Sequence, residues 1–250
     1  MTKKYLSIVG TILIMSTIIS CKDSKKTNKE LNTEVTELKE IPEVEESTTE
    51  TKKDITDFIP KNYVSFDTIY GDLNKDGLED CVLIIKGTDK SKIIEHEYRG
   101  KLDRNRRGII VLFNKNKGYE LAVENYDCFS SENEEGGVYF APELSVEIDK
   151  AKLHVSYGHG RYGYWSYMFR FQNNDFELIG YDGSYNRGPI VITETSINFL
   201  TRTKIVNHNT NEDAEEENEV FEKTVTKISK NKLLKLSEIK DFDELNVSEE

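Results

Sequence analysis

The chain has 250 residues, of which 34 are Lys or Arg and 46 are Asp or Glu, giving a formal net charge of −12 at pH 7. This acidic balance lacks the basic footprint that nucleic-acid binding requires, so that function is excluded. Hydrophobic residues make up 36% and charged residues 32%, which is typical of a water-exposed protein with polar appendages and excludes a multi-span membrane protein.

The first 20 residues have the layout of an export signal. Lys3 and Lys4 precede an uncharged run at 5–19, which is shorter than the ~20 apolar residues that a membrane-spanning helix needs. The tetrad at 18–21, Ile-Ile-Ser-Cys, resembles the bacterial lipobox. That resemblance implies a lipoprotein acylated at Cys21 with palmitate-type chains and anchored in the bacterial cell envelope, on the outer membrane and facing the periplasm or the surface. The alternative is a cysteine that merely follows an uncleaved anchor.

Residues 21–56 predict an acidic linker. The segment consists mostly of Lys, Glu, Thr, Ser and Asn, and its few apolar residues cannot bury enough surface to order it. We expect a disordered stalk that lifts a folded domain clear of the membrane.

Residues 57–245 predict one β-rich globular domain. Short runs rich in Val, Ile, Phe and Tyr alternate with turns rich in Gly, Asn and Asp, which favours antiparallel hairpins. The predicted strands are 63–70, 81–86, 108–113, 119–124, 144–148, 152–157, 164–172, 176–182, 190–200 and 220–228. The expected fold is mainly β, a meander, sandwich or set of propeller-blade-like sheets, with one short helix near the C-terminus.

The loop at 72–80 has the sharpest motif in the chain. It fits D-x-N-x-D-G-x-x-D and lies between two predicted strands. A hard cation such as Ca²⁺ takes six or more oxygen ligands, and the loop offers the side chains of Asp72, Asn74, Asp76 and Asp80 and the backbone carbonyl of Leu78. The alternative is a turn closed by its own side-chain hydrogen bonds, without a metal.

With strands in place of flanking helices, residues 66–85 resemble the calcium elements of FG-GAP and VCBS repeats. More broadly, the stretches 71–84, 163–171 and 176–180 resemble uncharacterised bacterial envelope lipoproteins with a single loop of this kind. The resemblance implies a structural calcium ion and brings no activity with it.

The glycines at 158, 160 and 163 fit the dinucleotide fingerprint G-x-G-x-x-G. The following residues read as a strand and not as the helix that would hold a pyrophosphate, so a nucleotide site is excluded. The aromatic and basic residues around this turn could instead bind a glycan or a protein, or they could simply pack in the core. They are Tyr157, His159, Arg161, Tyr162, Tyr164 and Trp165.

The sequence leaves alternatives for two further groups of residues, the cysteines of the domain and a basic cluster. Cys81 and Cys128 could form a disulfide in an exported protein, or remain buried free thiols. The five basic residues at 99, 101, 104, 106 and 107 are interpreted as a solvated loop in preference to an anion site.

No pair of residues in the sequence has a pattern that indicates catalysis. The leading hypothesis is therefore a membrane-tethered, calcium-stabilised β domain that acts as a binding or structural module. The alternatives are an envelope hydrolase with a site near His159 and Arg161, favoured by a pocket with two carboxylates, and an enzyme inhibitor with a protruding loop at 132–137.

Overall fold

The computed structural model describes residues 51–135, 140–211, 213, 218–229, 232–245 and 247. The strands in this part of the chain are β1 (Tyr63–Gly71), β2 (Asp80–Gly87), β3 (Ile93–His96), β4 (Gly100–Asp103), β5 (Arg107–Asn114), β6 (Tyr119–Phe129), β7 (Glu143–Asp149), β8 (Lys152–Gly158), β9 (Gly163–Gln172), β10 (Asp175–Arg187), β11 (Ile190–Asn198), β12 (Thr203–Asn209) and β13 (Phe221–Lys227). Short 3₁₀ helices cover Ile55–Phe58, Lys90–Lys92, Gly160–Tyr162 and Leu236–Glu238. The prediction of a mainly β, antiparallel fold is confirmed.

Four of the strands form a first sheet in the order β1-β2-β5-β6. The side chains of its two central strands, β2 and β5, are almost all buried. Both strands are continuous apolar runs, as expected for strands that are covered on two faces.

The second sheet is a seven-stranded meander from β7 to β13. Its hairpins follow the predicted turns. Asn173 and Asn174 both have positive φ angles, 52° and 58°, as a tight two-residue turn between β9 and β10 requires. In β8, buried residues alternate with partly exposed ones, so the strand presents one face to the core and one to solvent.

The main core lies between the two sheets. One face of the first sheet supplies Ile84, Val111 and Phe129, and the inner face of the second supplies Leu153 and Phe169. The C-terminal segment completes this core, with Leu236, Ile239, Phe242 and Val247 all buried. The expected short helix near the C-terminus is a single 3₁₀ turn at Leu236–Glu238.

The strand prediction missed three elements. Strands β3 and β4 form a separate two-stranded hairpin within the basic segment, and β12 lies between the predicted strand 190–200 and the acidic run that follows it. Each is short or rich in polar residues, so hydrophobic pattern alone does not reveal it.

The folded domain begins earlier than expected. Lys52 forms a β-bridge with Tyr119, and the 3₁₀ helix Ile55–Phe58 packs the buried Phe58 against the outer face of the first sheet. Residues 52–56, which were expected to belong to the linker, are therefore part of the folded domain. The expected signal segment, Cys21 and most of the expected linker lie outside the described residues. Within the described residues, no helix has the length and apolar character needed to cross a membrane.

Candidate functional site

The loop between β1 and β2 is closed by side-chain oxygens that accept hydrogen bonds from its own backbone. Asp72 accepts from the N–H groups of Lys75 (2.6 Å) and Gly77 (3.1 Å). Asn74 Oδ1 accepts from the N–H of Asp76 at 2.9 Å. Asp76 accepts from the N–H of Leu78 at 2.8 Å and from the Asn74 amide at 2.9 Å. Gly77 has a φ of 83°, a left-handed conformation that favours glycine.

Asp80 anchors this loop to the core. Its side chain is fully buried, and its two oxygens accept hydrogen bonds from the backbone N–H groups of Leu73 (2.8 Å) and Asn114 (3.0 Å). Burial raises the pKa of the Asp80 carboxyl, and the nearby negative charge of Asp76 raises it further. One carboxylate therefore ties the loop both to the buried Leu73 and to the end of β5.

The loop's donor set is compatible with calcium in composition. Each carboxylate oxygen of Asp72 and Asp76 takes one of the hydrogen bonds above, which leaves it a second lone pair for a cation. Each of the four side chains also accepts a hydrogen bond from a loop N–H group, which is a feature of the turn alternative. Among the described residues, no three or more His, Cys, Asp or Glu side chains are grouped as a metal site.

The predicted aromatic surface divides into buried and exposed parts. Tyr157 is 1% exposed and faces the core, where it stacks on Trp165 with ring centroids 5.5 Å apart. Trp165 itself packs against the core. Including Tyr157 in a ligand surface was therefore wrong, because its side chain is buried, whereas Trp165 packs against the core but stays partly exposed.

His159, Arg161 and Tyr162 do come together. They line a cleft of about 330 Å³ with Phe140 and Glu143. The His159 Nε2 lies 3.1 Å from the Phe140 carbonyl oxygen. Tyr164 is 48% exposed but belongs to strand β9 and does not line this cleft.

The glycines of the turn have structural roles. Gly160 and Gly163 have φ angles of 50° and 110°, and a Cβ at Gly163 would lie 1.9 Å from the Ser184 carbonyl oxygen. Strand β9 starts at Gly163, so no helix follows the motif. The exclusion of a dinucleotide site agrees with this geometry.

The interpretation as a solvated loop was wrong for three of the five basic residues, Arg104, Arg106 and Arg107, whereas Arg99 and Lys101 are exposed. Arg104 pairs with Glu134 at 2.7 Å, and Arg106 pairs with Asp241 at 2.9 Å. Arg107 is only 4% exposed. Because these side chains hold neighbouring segments together, they are part of the domain's framework.

The segment expected to protrude as an inhibitory loop is held down in its described part. Glu132 pairs with Lys86, and Glu134 accepts a hydrogen bond from Ser131 in addition to its Arg104 pair. The last two residues of the expected loop, 136 and 137, lie outside the described residues. Glu132 thus holds this segment to β2 of the first sheet, and Glu134 holds it to Arg104.

Cys81 and Cys128 are free buried thiols, so the disulfide alternative is not realised. Cys81 lies in the cluster on the outer face of the first sheet, with Leu83 and Ile85. Cys128 lies in the main core on the other face. Because the sheet separates them, the two sulfur atoms have no route to each other without unfolding.

Sequence reasoning missed the pairing of Lys86 with Arg107. These residues lie directly opposite each other on β2 and β5, and both are nearly buried. Phe66 contacts both, with Lys86 Nζ 5.6 Å and Arg107 Cζ 5.3 Å from its ring centroid. The available signal was a single basic residue at one end of each apolar run.

Comparison of the chain with protein-family models, with curated proteins and with solved structures gave no match.

Proposed function

We propose that this chain is a lipid-anchored protein of the bacterial cell envelope whose β domain is a calcium-stabilised binding or structural module. The main observation in favour of calcium binding is the uncompensated negative charge of the loop at 72–80. Asp72, Asp76 and the buried Asp80 form no ion pair with any described residue, and the charge of Asp76 raises the pKa of Asp80. A divalent cation would remove this repulsion and use the lone pairs that the loop hydrogen bonds leave free.

The loop's setting also supports a stabilising ion in preference to a catalytic one. It joins two strands that pair in register from Gly71 opposite Asp80 to Asp67 opposite Ile84. An ion held by the oxygens of Asp72, Asn74, Asp76, Asp80 and the Leu78 carbonyl would have few positions left for a substrate. Its expected effect is therefore on the stability of this hairpin.

The binding part rests on the His159 cleft. An aromatic ring, a guanidinium and a carboxylate surround about 330 Å³ of space, a combination that suits a glycan or a segment of a protein. Among the described lining residues Glu143 is the one carboxylate, whereas the hydrolase alternative calls for two. This composition favours a binding site over an active site.

Thermal unfolding with and without calcium tests the calcium part. Binding to the folded state alone stabilises it by RT ln(1 + [L]/Kd), which is about 2.7 kcal/mol at 100 times Kd. For a domain of this size we expect Tm to rise by roughly 5 to 10 °C in saturating calcium relative to chelator.

Two variants separate the loop from general effects of charge. Asp76→Ala should abolish the calcium-dependent shift, because it removes a ligand beside the turn. Asp213→Ala, an exposed acidic residue outside the loop, should keep it. Coincident melting of the wild-type protein in chelator and in millimolar calcium would show that the loop is an ordinary turn.

Mass spectrometry of detergent-extracted protein tests the lipid anchor. We expect loss of residues 1–20 and addition of acyl chains at Cys21, and Cys21→Ser should remain unprocessed. Wild-type protein that is recovered without detergent at the full precursor mass would contradict the anchor and leave the calcium result unaffected.

A further inference from the structure

A second cleft of about 370 Å³ adjoins the His159 cleft and shares Phe140 and Glu143 with it. Its charged lining residues are Arg99, Arg107, Glu132 and Glu143, and its apolar wall includes Phe66 and Leu144. The cleft therefore combines two guanidinium groups with an apolar wall.

Arg107 differs from every other buried or half-buried cation near this cleft. The others each have a carboxylate partner: Lys86 with Asp103 at 2.9 Å, Arg104 with Glu134 at 2.7 Å, and Arg106 with Asp241 at 2.9 Å. Arg107 is 4% exposed, compared with 8% for Lys86, yet it forms no ion pair with a described residue. The most buried of these cations is thus the one that has no carboxylate in direct contact among the described residues.

Arg107 makes few contacts, and these contacts occupy only a small part of its hydrogen-bond donors. Its Nε donates to the Ser130 carbonyl oxygen at 2.8 Å, and its Cζ lies 5.3 Å from the centroid of the Phe66 ring. A guanidinium has five N–H donors, and neither Nη1 nor Nη2 donates to a described residue in this structure. Burial lowers the pKa of Arg107, and the nearby charge of Glu132 offsets this only in part.

A buried guanidinium group without a partner lowers the stability of the fold. A carboxylate ligand would remove this cost, because it can accept two parallel N–H bonds from one guanidinium. We propose that this cleft binds a single carboxylate carried on a small apolar group, with the Nη1 and Nη2 groups of Arg107 as its donors. The apolar group would contact Phe66 and Leu144, which line the same cleft.

The charge of the cleft limits the ligand class. Glu132 and Glu143 also line it, so a polyanion or a doubly charged phosphate would meet repulsion that a single carboxylate largely avoids. Glu132 is already engaged by Lys86, and Arg99 Nη1 donates to the carbonyl oxygens of Asn133 and Glu134, which leaves Arg107 as the main donor available to an anion. This proposal does not depend on the calcium loop and holds whether or not that loop binds an ion.

A matched pair of probes tests the proposal on the wild-type protein. N-acetyl-phenylalanine carries a carboxylate, and its amide has the same shape without the charge. In buffer freed of divalent ions with a chelating resin, we expect the acid to bind about tenfold or more tightly than the amide. The readout is a saturable shift of the Arg107 Nε–H signal in ¹⁵N NMR spectra, assigned by its loss in Arg107→Lys.

Variants assign the effect to Arg107. Arg107→Gln should weaken binding of the acid about tenfold or more, and Arg107→Lys should weaken it less, because it keeps the charge but loses the planar fork. Lys101→Gln removes an exposed charge from the same basic segment and should leave binding unchanged. If the Arg107 variants do not fold, calorimetric titration of the wild-type protein with the acid and with the amide still decides.

Three outcomes would overturn the proposal. They are equal binding of acid and amide, no saturable binding of the acid, and tighter binding of inorganic phosphate than of the acid. None of these outcomes bears on the calcium-dependent melting, so failure of this site and failure of the calcium loop are distinguishable.

Discussion

Replacing Asp80 separates the structural role of the loop from its proposed role in calcium binding. Asp80 is fully buried and accepts hydrogen bonds from the N–H groups of Leu73 and Asn114, so Asp80→Ala leaves two buried donors without acceptors. Each unsatisfied donor costs about 1–3 kcal/mol. Removing a buried carboxylate whose pKa is raised offsets part of this cost. We therefore expect the free energy of unfolding to fall by about 2–4 kcal/mol.

Urea denaturation in chelator measures this loss without any contribution from calcium. Asp80→Asn keeps the volume and one acceptor oxygen, so it should lose about half as much stability as Asp80→Ala. Asp76→Ala is the control, because Asp76 is exposed and its removal should cost no more than about 1 kcal/mol. An Asp80→Ala protein within about 0.5 kcal/mol of wild type would refute the assignment of Asp80 as the anchor of the loop.

Three other measurements test further features of the domain. Burial raises the pKa of Cys81 to about 12 and raises that of Cys128 as well, so neither thiol should react with iodoacetamide in the native protein, and both should react in urea. Burial lowers the pKa of His154 below its ordinary value of about 6.5, so the unfolded state binds more protons than the folded state in acid. The free energy of unfolding should therefore fall as the pH drops below about 6.5. In urea titrations at several pH values, His154→Gln should make this dependence on pH weaker. Limited proteolysis should leave a resistant fragment that starts close to Lys52, since that residue pairs with Tyr119; cleavage at 57 or beyond would contradict the bridge.

The sheet elements were predictable where hydrophobic pattern and turn chemistry agreed. The two-residue turn at Asn173 and Asn174 and the alternation of β8 were both visible in the sequence. Strand β12 was not, because its sequence, TKIVNHN, has only two adjacent apolar residues. Its position is set by pairing with β11 and β13, which is tertiary information that a local pattern does not contain.

The site residues were predictable only in part. Alternation along a strand assigns residues to two faces, but it does not say which face is covered. Tyr157 was therefore assigned to a ligand surface although it faces the core, whereas His159 and Arg161 lie in a turn and do line a cleft. The loop at 72–80 was recognised because its spacing is local.

The unusual placement of Arg107 follows from the architecture of the first sheet. Strands β2 and β5 are covered on both faces, so the residues at their paired ends, Lys86 and Arg107, are drawn toward the interior together. Two like charges opposite each other are unfavourable, and Asp103 and Glu132 form direct ion pairs with the lysine, whereas Glu132 acts on Arg107 only without direct contact. A purely structural solution would have placed an apolar residue at 107, since burying an unpaired guanidinium lowers stability. Because the charge of Arg107 lies beside an open cleft, a carboxylate ligand in that cleft could act as its counter-ion.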